Sequence, residues 1–269
     1  MKSTKAILSL LLCAVLMAGC GMSPVIFTEP TAESTMPSVT VPVTTVQTQP
    51  SETVPVTQPE IPLHSPLYIA EVPVEDVISF FNEVCLSAEY VNSGDPSLVQ
   101  KWTGPLIYQV HGNPTEEDLI TLGNFAAQLN SIQGFPGIRE AQYPEEATIN
   151  IHFCSRQDFL TLMGENFYGA DGGVTFWYER NEIYNAIIGI RTDIDQELRN
   201  SVILEELYNG LGPVQDTWLR SDSIIYGGFS QPQALTLTDW LILDLLYHPD
   251  IKCGMTQQQC EAVIRNLYY

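Results

Sequence analysis

The 269-residue chain is expected to fold as an α+β domain behind a disordered leader. Helix-period and strand-period segments are interspersed without regular β-α-β alternation, which favours that class. A Pro/Thr-rich stretch from Gly21 to Pro66 holds nine of the 18 prolines and no Lys or Arg. Such a segment cannot bury enough apolar surface to offset its ordering entropy. No second break of this kind follows, so residues 67–269 are read as one domain with its own core.

The N-terminus carries Lys2 and Lys5 ahead of an apolar run from Ala6 to Val15. That run is too short to span a bilayer and reads as a secretion signal over residues 1–19. Met17-Ala18-Gly19-Cys20 resembles a bacterial lipobox, which makes Cys20 the lipid-bearing first residue of the processed chain. The competing expectation is ordinary signal cleavage with Cys20 incidental. Residues 20–66 are then a tether of up to ~3 Å per residue. It would hold the domain off the extracytoplasmic face of a bacterial cell membrane.

Within the domain, residues 73–88 predict a helix with Val77, Phe80, Phe81, Val84 and Ala88 on its apolar stripe. Residues 106–110 predict a strand. Thr115 with Asp118 resembles a capping box, ahead of a helix face of Leu119, Leu122, Phe125, Ala126 and Leu129. Residues 148–154 alternate as a half-buried strand. A short helix over 156–163 follows, and Gly172-Gly173 is expected to break the chain. Residues 174–178 and 183–190 flank Glu179-Arg180-Asn181-Glu182 as a hairpin. A helix over 194–211 is capped by Asp193, and two closing helices start at Thr236 and Thr256. The aromatics Phe176, Trp177 and Tyr178 read as strand-core packing, with a glycan surface as the alternative.

The net charge is −21 at pH 7, and removing the signal takes away two of the 11 basic residues. This excludes phosphate-backbone binding, so no nucleic-acid partner is expected, nor docking on anionic lipid through charge. Of six cysteines, Cys85, Cys154, Cys253 and Cys260 lie in the domain. In an oxidising location they would pair as Cys253–Cys260, close in sequence, and by elimination Cys85–Cys154. Four buried free thiols are the competing expectation. His111, His152 and His248 stand singly, with His152 the one open to recruitment from its strand.

The stretch Glu205-Glu206-Leu207-Tyr208-Asn209-Gly210-Leu211-Gly212-Pro213-Val214-Gln215 carries the chemistry. It resembles the extended zinc-protease signature H-E-x-x-H-x-x-G-x-x-H. Glu205, Asn209 and Gln215 stand where that signature has its three zinc ligands. Glu206 occupies the general-base position and Gly212 the turn. Downstream, Ser223-Ile224-Ile225-Tyr226 is similar to the turn beneath the zinc in metzincin proteases, with Ile225 in place of methionine. Leu235 to Asp239 and Leu245 to Tyr247 are similar to the closing metzincin helix. The chain also resembles the secreted bacterial domain-of-unknown-function family 2927 through Glu205 to Gly212, Ser223 to Tyr226, and Leu245 to Pro249. The resemblance implies a zincin-like fold, with a mixed β-sheet packed on helices.

Zinc prefers imidazole and thiolate, and the three replacement side chains suit hard cations better. No cofactor is therefore expected beyond a weak divalent cation. Without a metal-bound water Glu206 has little to activate. The reading in front is a degenerate, non-catalytic metalloprotease-like domain that binds a peptide, a glycan or an envelope protein, with Tyr226 lining its cleft. One alternative is a peptide hydrolase with an oxygen-ligated metal and Glu206 as base. Another is a solute-binding or structural lipoprotein without cleft chemistry.

Overall fold

A computed structural model describes residues 5–8, 72–86, 98–227 and 233–267, the first of these as backbone only. Cys20, the tether and most of the leader lie outside the described residues. A single sheet runs β4 (Ile138–Glu140), β3 (Leu106–Gly112), β5 (Ile149–Cys154), β7 (Glu182–Arg191), β6 (Gly172–Glu179) and β1 (Lys5–Leu8). The two-residue β2 (Lys101–Trp102) adds beside the start of β7. From β4 to β7 every pairing is parallel, whereas β6 and β1 run antiparallel.

The class is therefore mixed α/β with a largely parallel sheet, which corrects the α+β expectation. Parallel neighbours need a crossover. After β3 the helix α2 (Glu116–Leu129) supplies one. The sequence hid this because β2 and β4 have only two and three residues, too short to alternate visibly.

Helices α1 (Val74–Leu86), α2, α4 (Gln196–Gly210), α5 (Leu237–Leu246) and α6 (Gln257–Leu267) share one core with Ile149, Ile151 and Phe153 of β5 and Val174 and Phe176 of β6. On the other face, α3 (Arg156–Met163) and Phe167 bury a smaller cluster against Ile187. Alternation along β5 sorts its side chains between the two faces. Phe176 thus joins the main core, and Trp177 stands on the opposite face, half-buried.

Local chemistry sets the boundaries. Thr115 and Asp118 close a reciprocal capping box on α2, and Thr236 and Asp239 do so on α5. Arg180 and Asn181 both take positive φ, of 56° and 67°, which makes the hairpin turn match the twist of β6 and β7. Asp193 does not cap α4. Arg191 holds its carboxylate at 3.0 and 2.9 Å, and the cap falls at Asp195. Leu119, expected on the apolar stripe of α2, is 46% exposed because α2 buries only the narrower face through Leu122, Phe125, Ala126 and Leu129.

Gly172 and Gly173 do not break the chain. Both are buried in β6, where a side chain at 172 would press within 2.9 Å of Glu206 Cγ. The expected disulfides are also absent: all four domain cysteines are free thiols. Cys85 is buried in the main core between helices, whereas Cys154 sits with the small cluster on the far face of the sheet. Cys253 turns its sulfur to the Lys101 carbonyl at 3.8 Å, and Cys260 is buried in the core.

Candidate functional site

Helix α4 brings Glu205, Glu206 and Asn209 together at its C-terminal half. Glu205 and Asn209, four residues apart, lie on one face. This end of the helix is unusually well held. Trp102 Nε1 donates to the Gly210 carbonyl at 2.9 Å, and the Tyr247 hydroxyl donates to the Leu211 carbonyl at 2.8 Å. Two carbonyls that a helix end leaves open are thus satisfied by buried aromatics. Gly212 then turns the chain with φ of +130°, and a Cβ there would lie 2.5 Å from the Gln100 carbonyl oxygen. The turn position expected at 212 is therefore one that only glycine fits comfortably.

Beyond the turn, residues 214–227 fold back against α1. Val214 N–H donates to the Val84 carbonyl at 2.9 Å, and Glu83 accepts from the Thr217 hydroxyl and from Trp218 N–H. Thr217 pairs with Tyr226 as an isolated bridge. The Tyr226 ring packs edge-on against Trp218, with centroids 5.8 Å apart. Trp218 itself is 67% exposed and lies beside the Gly227 backbone.

The turn from Ser223 to Tyr226 is anchored by Asp239 at the start of α5. Ser223 Oγ donates to Asp239 Oδ1 at 2.6 Å, and Ile224 N–H reaches Oδ2 at 3.2 Å. Tyr208 of α4 donates to the Asp239 carbonyl at 2.9 Å. Ile225 is fully buried in the core. Tyr208, Ser223 and Ile224 thus converge on Asp239, which joins α4 and the Ser223–Tyr226 turn to the start of α5.

Electrostatics set this site apart from an ordinary acidic helix. Glu206 is 2% exposed. Burial pushes its carboxyl well above the usual range, and the charges of Glu205 and Asp216 push it further. Glu205 is pushed up to about 8 by burial, then by Asp216 and Asp171. Both carboxyls are thereby biased toward the protonated form. Asn209 is 1% exposed, and neither its amide nitrogen nor its amide oxygen finds a hydrogen-bond partner. A buried amide of this kind costs about 1–3 kcal/mol, which a bound partner would recover.

Of the expected replacements for the zinc ligands, Glu205 and Asn209 share the site. At the third position Gln215 uses its backbone N–H on the Val84 carbonyl, and its neighbour Asp216 is the residue whose charge reaches both glutamates. Asp171 and Asp216 escaped the sequence reading because neither lies on the motif's spacing. Among the described residues, no group of three or more His, Cys, Asp or Glu side chains is placed to hold a metal ion. Two carboxyls and one amide supply neither the imidazole nor the thiolate that the zinc implied by the signature prefers.

The fold and site define a mixed α/β domain with a buried acidic cluster on α4 and an antiparallel outer strand. Residues 75–266 match the family described as protein of unknown function (DUF2927), and the chain belongs to that family. No curated protein matches it.

Proposed function

We propose that this domain is a tethered receptor for an extended peptide segment, from a peptide or an envelope protein, added as a strand to the outer edge of β6. The observation that carries the reading is the pairing of β1. Lys5 to Leu8 lie antiparallel along β6, with Lys5 opposite Tyr178 and Leu8 opposite Thr175. Main-chain pairing of this kind gives affinity with little sequence demand. β7 is interior to the sheet, whereas the outer side of β6 is covered by β1. If residues 1–19 are removed as a signal, β6 is left without that partner in the processed chain.

The zincin-like reading forms part of this proposal. An antiparallel outer strand, the Glu205–Asn209 helix, the Gly212 turn, the anchored Ser223–Tyr226 turn and α5 follow in the order that the metzincin resemblance implies. Attachment through a lipid on Cys20, at the outer face of a bacterial cell membrane, is the matching proposal for location. No helix among the described residues is long and apolar enough to cross a membrane.

A peptide with the sequence of residues 3–10 tests the receptor reading on protein that starts at Cys20. Saturable binding that disappears when the peptide backbone is N-methylated is expected. Absence of binding, or binding indifferent to N-methylation, overturns it. A hydrolase reading draws on the perturbed carboxyls, since strongly shifted groups gather at functional sites. Burial and the neighbouring carboxyls favour the protonated form of Glu206, which suits a general acid better than the base first expected. Cleavage of a peptide library that is lost in Glu206→Gln would establish that second reading.

A further inference from the structure

The histidines that stand singly in the sequence are brought together by the sheet. β3 and β5 run parallel, with His111 directly opposite His152. Neighbouring strands lie about 4.8 Å apart, so this register alone sets two imidazoles side by side. Their rings stack with centroids 4.4 Å apart and planes 14° from parallel. Both side chains are half-buried, on the face of β5 opposite Ile151 and Phe153.

His111 is oriented by a neighbour. Its Nε2 lies 2.9 Å from Asn150 Oδ1, and that amide oxygen only accepts. With Nε2 engaged by Asn150, Nδ1 is the nitrogen left to face an ion, as where an outer partner orients a metal-binding histidine. Protonating both rings would stack two cations, whereas one metal ion uses two neutral rings at once.

We propose that His111 and His152 form a two-histidine chelate for a borderline divalent transition metal, with Asn150 orienting His111 and water completing the coordination. Imidazole pairs favour Cu²⁺ and Zn²⁺ over the hard cations Ca²⁺ and Mg²⁺. Closing on an ion requires the His152 ring to rotate from its stacked position while Asn150 holds His111. The Cβ–Cγ torsion of histidine is broad, so that rotation is cheap. Cys154, two residues along the strand, is not a third ligand. Its sulfur faces the carbonyls of His152 and Ile190 at 3.8 Å. This site lies away from the α4 cluster and is independent of the peptide-receptor reading.

Calorimetric titration of the purified, metal-free protein with Zn²⁺ tests the proposal, with Ca²⁺ as the comparison. One equivalent of Zn²⁺ is expected to bind and Ca²⁺ is not. Asn150→Ala should weaken Zn²⁺ binding on the order of 10- to 100-fold. His111→Asn or His152→Asn should weaken it more, and His248→Asn should leave it unchanged. In the wild-type protein, imidazole proton resonances of His111 and His152 should shift together on adding Zn²⁺, before that of His248. A folded H111N/H152N variant with wild-type Zn²⁺ affinity overturns the proposal. So does a wild-type spectrum in which those two resonances stay still, and that result needs no variant to fold.

Discussion

At position 206 a glutamate is almost wholly buried beside the carboxyls of Glu205 and Asp216. Its neighbour Glu205 shares the same carboxyl-rich surroundings, and its pKa is pushed up to about 8. The native state then binds a proton that the unfolded chain releases near the ordinary carboxyl pKa of about 4.3. Stability therefore falls as pH rises from there to about 8, and levels off above. Urea midpoints measured across that window should decline, and Glu205→Gln should flatten the decline. A wild-type midpoint that rises instead would show the carboxyls ionised and paired with a cation.

Asp118 behaves in the opposite sense. Burial alone would raise its pKa, but hydrogen bonds from Arg199, Thr115 and Gln196 outweigh it and the value is lowered. Its contribution is present above the unfolded carboxyl pKa and is lost as pH falls through the lower folded one. The Arg199–Asp118 pair, at 2.8 Å, is almost fully buried. Asp118→Ala should cost about 3–5 kcal/mol in chemical unfolding, because it leaves Arg199 buried and unpaired.

At the level of elements, the turn after α4 is the tightest point. Gly212→Ala would force a Cβ toward the Gln100 carbonyl at an unfavourable φ. A loss of about 1–3 kcal/mol is expected from the backbone strain alone. Thermal unfolding measures it, and an unchanged midpoint would show that the turn can relax. Elements announced by side-chain chemistry were legible in the sequence. The capping boxes at Thr115 and Thr236, the alternation of Ile149 to Phe153 and the turn at Gly212 all fall where their residues predict. Elements defined by partners were not. Lys101-Trp102 carries no alternation, and its place is set by β7 and by the bond from Trp102 to α4. Gly172-Gly173 reads as a break, yet it is a strand whose missing side chains make room for Val202, Glu206 and Phe167. The His111–His152 pair was invisible for the same reason, since strand register is not written in either strand alone. Within the site, Glu206 and Asn209 were found from spacing, and Asp216 and Asp171 required the folded chain.

For the whole molecule, the described residues belong to one compact unit with a main core on one side of the sheet and a smaller cluster on the other. The cysteines report on that division. Cys85 and Cys260 are buried in the main core, and burial pushes both thiols upward. They should resist a thiol reagent until the domain unfolds, whereas half-buried Cys154 and Cys253 should react sooner. Mass spectrometry after timed labelling decides this, and early labelling at Cys85 would contradict the packing of α1 against α6. The clamp on α4 has a further consequence for motion. Trp102 and Tyr247 tie its last carbonyls to β2 and α5, and Lys101 in turn donates to the Leu246 and Ile251 carbonyls at 2.7 and 2.6 Å. Three distant parts of the chain would have to separate before that last turn could open. Its amide hydrogens should therefore exchange with solvent only through global unfolding, so any adjustment to an arriving partner falls to the loop around Trp218.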